Sequence, residues 1–247
     1  MKKTFDLSAA ALHILAMTFM LMDHLWATLL SSQMWLTHVG RLAFPIFAFL
    51  AVEGYFHTRS FKRYALRMLL FAVLSEVPFD LMYGGTVFYP VHQNVIWTLL
   101  LGLLGIRLME AARAKGKRWL YVLTCAAIVV LGFVLGTLGM VDYYGAGVLT
   151  VFAFYFFRER KWWCLLGQLA ALYWLNVAVL GGQMYPVTLF GREIELCEQG
   201  LALLALVPIW LYRGRQGHHS KAFQYACYAF YPAHMLVLGI LSKLIFS

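Results

Sequence analysis

Residues Ala9–Leu30 read AAALHILAMTFMLMDHLWATLL. A helix needs about 20 apolar residues to cross a bilayer, and this run supplies them. Asp23 and His24 lie side by side deep within it. A charged side chain near a bilayer centre costs about 2.5–3.5 kcal/mol on insertion scales. The run therefore predicts a membrane span whose two polar residues face protein or water rather than lipid.

The rest of the chain follows the same pattern. Of its 247 residues, 62% are apolar and 13% charged, and mean hydropathy is +0.73. Soluble domains carry about 25% charged residues. Runs of about ten residues with strict alternation, the mark of a membrane β-barrel, are absent. The N-terminal apolar stretch exceeds a typical secretion-signal core and is followed by many more, so it reads as a first span. Apolar stretches fall at about 9–30, 40–57, 64–83, 94–112, 119–140, 145–157, 162–180, 200–212 and 222–243. The expected fold is all-α, a polytopic membrane helical bundle of about nine transmembrane helices, forming one domain over residues 1–247. The longest connection, about 181–199, is expected to hold a short surface element.

The net charge of +9 is a matter of topology here, not of nucleic-acid binding. Of the 20 Lys and Arg residues, all but Arg41, Arg192 and Lys243 fall in alternate connections. The positive-inside bias then places the N-terminus in the cytoplasm and, with nine spans, the C-terminus outside. A bacterial inner membrane is the expected location. Cys125, Cys164, Cys197 and Cys227 lack metal-type spacing and read as packing residues. His24, His92 and His234 share no ligand spacing on one helix, so no metal site is expected.

Many polar residues lie within or at the ends of the apolar stretches. Asp23, His24, Arg41, Glu76, Asp80, His92, Gln93, Asn94, Asp142 and Tyr143 fall in or near the outer half, Glu53 lies deeper, and His234 follows Tyr231 and Pro232 near the middle of the last span. Their convergence on one polar cavity below the outer surface is expected; a buried salt-bridge network that fixes helix packing is the structural alternative. Neighbours on a helix point about 100° apart, so Asp23 does not orient the His24 ring. Asp23 is expected to pair with Arg41 or another helix, while Asp142, Glu76 or Tyr231 is available to orient His24. Pro45 and Pro78 are expected inside helices, where each removes a backbone donor and favours a kink.

The motifs MDH (Met22–His24), GRLAFPIFAF (Gly40–Phe49) followed by EG and HT, SEVPFDL (Ser75–Leu81), QNVIWTLLLG (Gln93–Gly102), DYYGAGV (Asp142–Val148) and YPAH (Tyr231–His234) resemble, in order, the pattern of the TraX family. One departure stands out: the family usually reads Asp-Tyr-Gly where this chain has Asp142-Tyr143-Tyr144, which puts a tight turn there in question. The family is named after a conjugation protein that resembles an acetyltransferase for the N-terminal amine of F-type pilin. It is thought related to membrane acyltransferases that use acetyl-CoA to modify sugars.

The resemblance implies an acetyl-CoA-dependent acyltransferase acting on a peptide amine or a glycan hydroxyl. Such transfer needs a base, oxyanion donors and cations for the nucleotide phosphates. His24 suits the base. Asp23, Arg41, Asn94 and Asp142 complete the expected catalytic set. Glu53, Glu76, Asp80, Gln93, Tyr143, Tyr231 and His234 are expected around the substrate, and Arg59, Lys62, Arg63 and Arg67 at the phosphates of acetyl-CoA. Because acetyl-CoA is cytosolic, either its arm threads a tunnel between helices to reach the outer half, the preferred reading, or helix 1 is shifted by a turn, or an acetyl-His24 relay carries the group. A proton-coupled transporter is the alternative, since carboxylates and histidines also form proton relays; the chain shows no internal repeat of the transporter kind.

Overall fold

The computed structural model describes residues 6–189, 191–218 and 220–246. Lys2 and Lys3, which enter the charge count, lie outside them. Helices run in chain order as α1 (Ala9–Thr28), α2 (Met34–Gly40), α3 (Ala43–His57), α4 (Phe61–Tyr83), α5 (Val95–Ala114), α6 (Arg118–Leu138), α7 (Tyr144–Phe156), α8 (Trp162–Tyr173), α9 (Leu206–Leu211) and α10 (Lys221–Phe246). A π-helical stretch, Trp174–Leu180, extends α8, and a 3₁₀ stretch, Glu198–Ala205, leads into α9. Among the described residues, six helical stretches are long and apolar enough to cross a membrane: Ala9–Thr28, Met34–His57, Val95–Ala114, Arg118–Leu138, Trp162–Leu180 and Lys221–Phe246. Each remaining expected stretch also holds a helix: α4 with its charged first turns, and the shorter apolar Tyr144–Phe156 and Glu198–Leu211. The protein is an all-α, multi-pass membrane bundle.

Local sequence explains the helix starts. The Ser8 and Asn94 side chains accept from the Ala11 and Ile96 amides, satisfying donors that the first helical turn leaves free. α3 sits at the centre, against α1, α5 and α7, and most of its side chains are buried. α10 packs along α4 and α1. α6 packs on α5 and α7, yet of its residues only Ile128 and Gly136 are buried, so most of its apolar surface faces lipid. Between helices in lipid, close packing replaces the hydrophobic drive. Gly145 shows it: a Cβ there would lie 2.4 Å from the Phe133 carbonyl oxygen of α6.

Two local expectations are corrected, the start of the second span and the place of Pro45. The second span begins earlier, at Met34, and breaks at Arg41–Leu42 before α3. Pro45 therefore falls in the first turn of α3, where the missing N–H has no helical partner, rather than kinking a helix interior. Pro78 does lie inside α4. The surface element in 181–199 is an antiparallel hairpin, β1 (Met184–Leu189) paired with β2 (Arg192–Cys197). The turn at Asp142–Tyr144 forms without glycine: Tyr143 and Tyr144 take φ of +60° and +49°.

Candidate functional site

A cavity of about 360 Å³ opens at the cation-poor end of the bundle, the outer side by charge count. Its size suits a small-molecule site. Asp23 and His24 of α1 line it, with Arg41 from the break before α3, Asp142 and Tyr143 ahead of α7, and Tyr231 of α10. His92, Tyr83, Tyr144 and the hairpin's flanking residues Gln183, Glu198 and Gln199 complete its polar wall.

The chain positions these groups through short backbone ties. Gln93 N–H donates to the Met140 carbonyl and Asp142 N–H to the Gln93 carbonyl, both at 2.9 Å. The Thr98 hydroxyl donates to the Asp142 carbonyl at 2.6 Å. These ties hold the entry of α5 against the entry of α7 and bring His92 Nε2 to 3.3 Å from Asp142 Oδ1. On the opposite wall, Thr37 Oγ1 donates to Asp23 Oδ1 at 2.8 Å and accepts from Arg41 Nη2 at 2.6 Å. Arg41 lies 3.7 Å from Asp23 and 3.5 Å from Glu198, ion-pair range in each case. Its buried Nε makes no hydrogen bond and lies 3.5 Å from Glu198 Oε1. Tyr185 of β1 donates to Gln183 at 2.7 Å and reaches Glu198 at 3.4 Å, which ties the hairpin to the cavity rim. Partial burial and the Glu198 carboxylate push this phenol above its ordinary pKa, so it stays a donor at neutral pH.

His24 meets none of its three expected partners. Its Nδ1 lies 2.7 Å from His234 Nε2, and His234 Nδ1 lies 2.7 Å from the Phe230 carbonyl oxygen. A carbonyl only accepts, so His234 Nδ1 carries a proton. With both rings neutral, His234 Nε2 is then an acceptor, and His24 Nδ1 must carry the proton between them. The His24 Nε2 lone pair remains for chemistry. The assignment follows from the hydrogen-bond chain.

The other expected residues lie elsewhere. Asn94 is fully buried; its Nδ2 donates to the Ala72 carbonyl at 2.8 Å and to Glu76 Oε1 at 2.5 Å. Glu76 also accepts from Trp97 Nε1. Asp80 accepts from the Tyr89 amide, and Gln93 donates to the Pro90 carbonyl. Asn94 and Glu76 tie α4 to the start of α5, Asp80 and Gln93 fasten the loop between them, and none of the four lines the cavity. Glu53 pairs with Arg158 at 2.7 Å towards the cation-rich end. There a second hollow of about 500 Å³ is lined by Tyr55, Phe56, Thr58, Phe61, Lys62, Arg107 and Glu110. Arg59 and Arg63 are exposed, and Arg67 lies over the Tyr228 ring at 6.0 Å. Among the described residues no three His, Cys, Asp or Glu side chains group as metal ligands.

Tyr83, Tyr144, Gln183, Glu198 and Gln199 line the cavity although none was expected there. Glu198 read as part of a surface loop, yet it is 8% exposed and opens an apolar stretch, the position that singled out Arg41 and Asp142. Of the three neighbours expected at the cavity, His92, Gln93 and Asn94, His92 alone lines it.

A multi-pass helical membrane protein with a histidine-bearing polar cavity at its cation-poor end is the class these features define. The family model described as "TraX protein" matches residues 8–242. The chain belongs to the TraX family. It is 28% identical over 252 residues to the "Probable fimbrial assembly protein FimC, serogroup H1" of Dichelobacter nodosus, covering 96% of this chain and 97% of that protein. No solved structure matches it.

Proposed function

We propose that the protein is a membrane acetyltransferase that moves an acetyl group from acetyl-CoA to an amine or hydroxyl entering the outer cavity. The observation that carries this reading is the relay Phe230 carbonyl–His234–His24, which leaves a lone pair on His24 Nε2 at a cavity wall. His24 takes the proton of the attacking amine as nitrogen bonds to the thioester carbonyl carbon. The Arg41 Nε–H, a buried donor with no hydrogen-bond partner, is the candidate for the developing oxyanion. Collapse breaks the carbon–sulfur bond, and the departing CoA thiolate takes the proton from His24. Asp23 holds Arg41 in place through Thr37.

At the other end, Lys62 and Arg107 flank the aromatic hollow and suit a phosphate beside a base. The nucleotide would dock there, with the acyl-bearing arm reaching between the helices. The fimbrial name of the relative and the TraX family's link to pilin acetylation both favour a pilin-like amine as acceptor. Location in a bacterial inner membrane belongs to the same proposal.

The test is thermal melting of the purified protein with acetyl-CoA, free CoA and unrelated nucleotides, together with acetylation of a small amine. Acetyl-CoA should raise the melting temperature, and His24→Ala should abolish product while keeping that shift. Full activity in His24→Ala removes the base assignment; no shift and no product remove the reading.

A further inference from the structure

We propose that the free edge of β2 pairs with an extended peptide and delivers that peptide's N-terminal amine into the cavity. The inference rests on the acetyl-transfer reading with its pilin-like amine acceptor, and adds the surface that would hold that acceptor.

The register decides which groups are free. Glu198 N–H donates to the Gln183 carbonyl at 2.9 Å, so residues 183 and 198 form a hydrogen-bonded pair. In an antiparallel ladder such pairs alternate with non-bonded ones. Tyr185/Leu196 and Val187/Ile194 therefore bond each other, while Met184, Pro186 and Thr188 of β1 and Glu193 and Glu195 of β2 turn their backbone groups outward. Among the described residues the sheet has two strands, so both edges are unpaired there. They are not equivalent. Pro186 removes the central outward N–H of β1, the usual block on an edge. β2 keeps its donors and is exposed from Arg192 to Leu196.

The strand direction then fixes what reaches the cavity. β2 runs from its outer tip at Arg192 to Cys197, and the next residue, Glu198, lines the cavity. A strand added antiparallel, the stronger pairing, runs the opposite way and begins at the cavity. Its first residue carries the amine. A parallel addition would bring a carboxyl end instead, and a glycan has no ladder to offer. Charge agrees: Glu193 and Glu195 flank the free edge, with Glu198, Asp142 and Asp23 at its foot. They attract an ammonium terminus, which gives one proton to solvent at the cavity mouth before the neutral amine attacks and gives its next proton to His24, and they repel edge-to-edge pairing of two copies.

The experiment uses the full-length protein in detergent and an octapeptide of alternating Val and Thr with one Lys. The peptide is free at its N-terminus and fluorescently labelled at its C-terminus. Anisotropy should show binding to the unaltered protein, at least tenfold weaker binding to Glu195→Pro, and unchanged binding to Thr188→Pro. Both substitutions fall at outward, non-bonded positions, so the second controls for hairpin damage. A peptide N-methylated at alternate amides keeps the test independent of any variant and should not bind. Equal affinity for Glu195→Pro and the unaltered protein, equal loss in Thr188→Pro, or tight binding of the methylated peptide each overturns the proposal. If the octapeptide binds in the expected way but gains no acetyl group, acetyl transfer falls and docking stands. If glycinamide is acetylated while the octapeptide does not bind, docking falls and acetyl transfer stands.

Discussion

The His24–His234 contact makes a quantitative prediction. In His234→Leu, the proton on His24 Nδ1 loses its acceptor at 2.7 Å, in a place where His234 is only 8% exposed. A buried donor left unsatisfied costs about 1–3 kcal/mol. The ring can escape that cost by moving its proton to Nε2, the atom that must accept from the amine. Either way the same free energy is lost from the reactive tautomer. At 1.36 kcal/mol per factor of ten, kcat should fall by about 5- to 150-fold. The KM for acetyl-CoA should not move, because His234 sits behind His24 and lines no part of the cavity. In His234→Gln the side-chain oxygen can stand near the former Nε2 position and accept from Nδ1, so most of the rate should return. The assay is initial-rate acetylation of glycinamide from acetyl-CoA, with thermal melts of each variant as a check on folding. If His234→Leu keeps its kcat, or raises KM alone, the ring does not act through the tautomer of His24. Equal impairment of the Leu and Gln variants refutes the reasoning as well.

Three further outcomes are expected. In Gly40→Ala the new Cβ would lie 2.4 Å from Asp23 Cβ, well inside contact distance; overpacking of this kind costs about 1–3 kcal/mol, so chemical denaturation should show that loss, along with weaker activity as Asp23 leaves Thr37. Arg158→Leu strips Glu53, whose side chain is 12% exposed, of its partner at 2.7 Å; the half-exposed guanidinium limits the loss to about 1–3 kcal/mol, and adding Glu53→Leu should restore part of it in the same denaturation assay. Tyr144, at φ +49°, should tolerate Gly with little change in melting temperature, whereas Val, a β-branched residue that strongly resists this conformation, should lower it measurably.

The fold was legible because a membrane imposes a coarse length rule. Each expected stretch holds a helix, since apolar runs of this length have no other way to satisfy their backbone in lipid. What composition does not encode is where a helix breaks. Met34–Val39 is too short and too near the first span to register alone, and only the break at Arg41–Leu42 separates α2 from α3. The hairpin was hidden differently. β1 (MYPVTL) carries no charged residue and a proline, and β2 (REIELC) alternates charged and apolar residues only over Glu193–Leu196, in a connection flanked by far stronger helical signals.

The cavity shows which physical information a sequence carries and which it lacks. A costly residue in an apolar run announces that it needs shelter, so Asp23, His24, Arg41, Asp142, Tyr143 and Tyr231 were marked, and the structure brings all six to one cavity. Cost does not say which shelter. Asn94, Glu76 and Asp80 bear the same mark, but they find it in hydrogen bonds that link α4 to the cap of α5 and to the loop before it. The difference lies in helix phase. Asn94 caps α5 and turns towards Ala72 and Glu76 of α4, while His92, two residues earlier in the loop, turns towards Asp142. The partner of His24 was beyond reach for the same reason: His234 lies 210 residues away, and which turn of α10 faces α1 depends on packing along the whole helix pair. A change that rotates α10 without touching either histidine should therefore separate the rings. Gly239 is the place to try it, because a Cβ there would lie 3.1 Å from the Leu81 carbonyl carbon and the Met82 nitrogen of α4. Gly239→Ala should lower acetylation of glycinamide as His234→Leu does. If the bundle shifts detectably but the rate holds, the ring pair is not the element that packing must preserve.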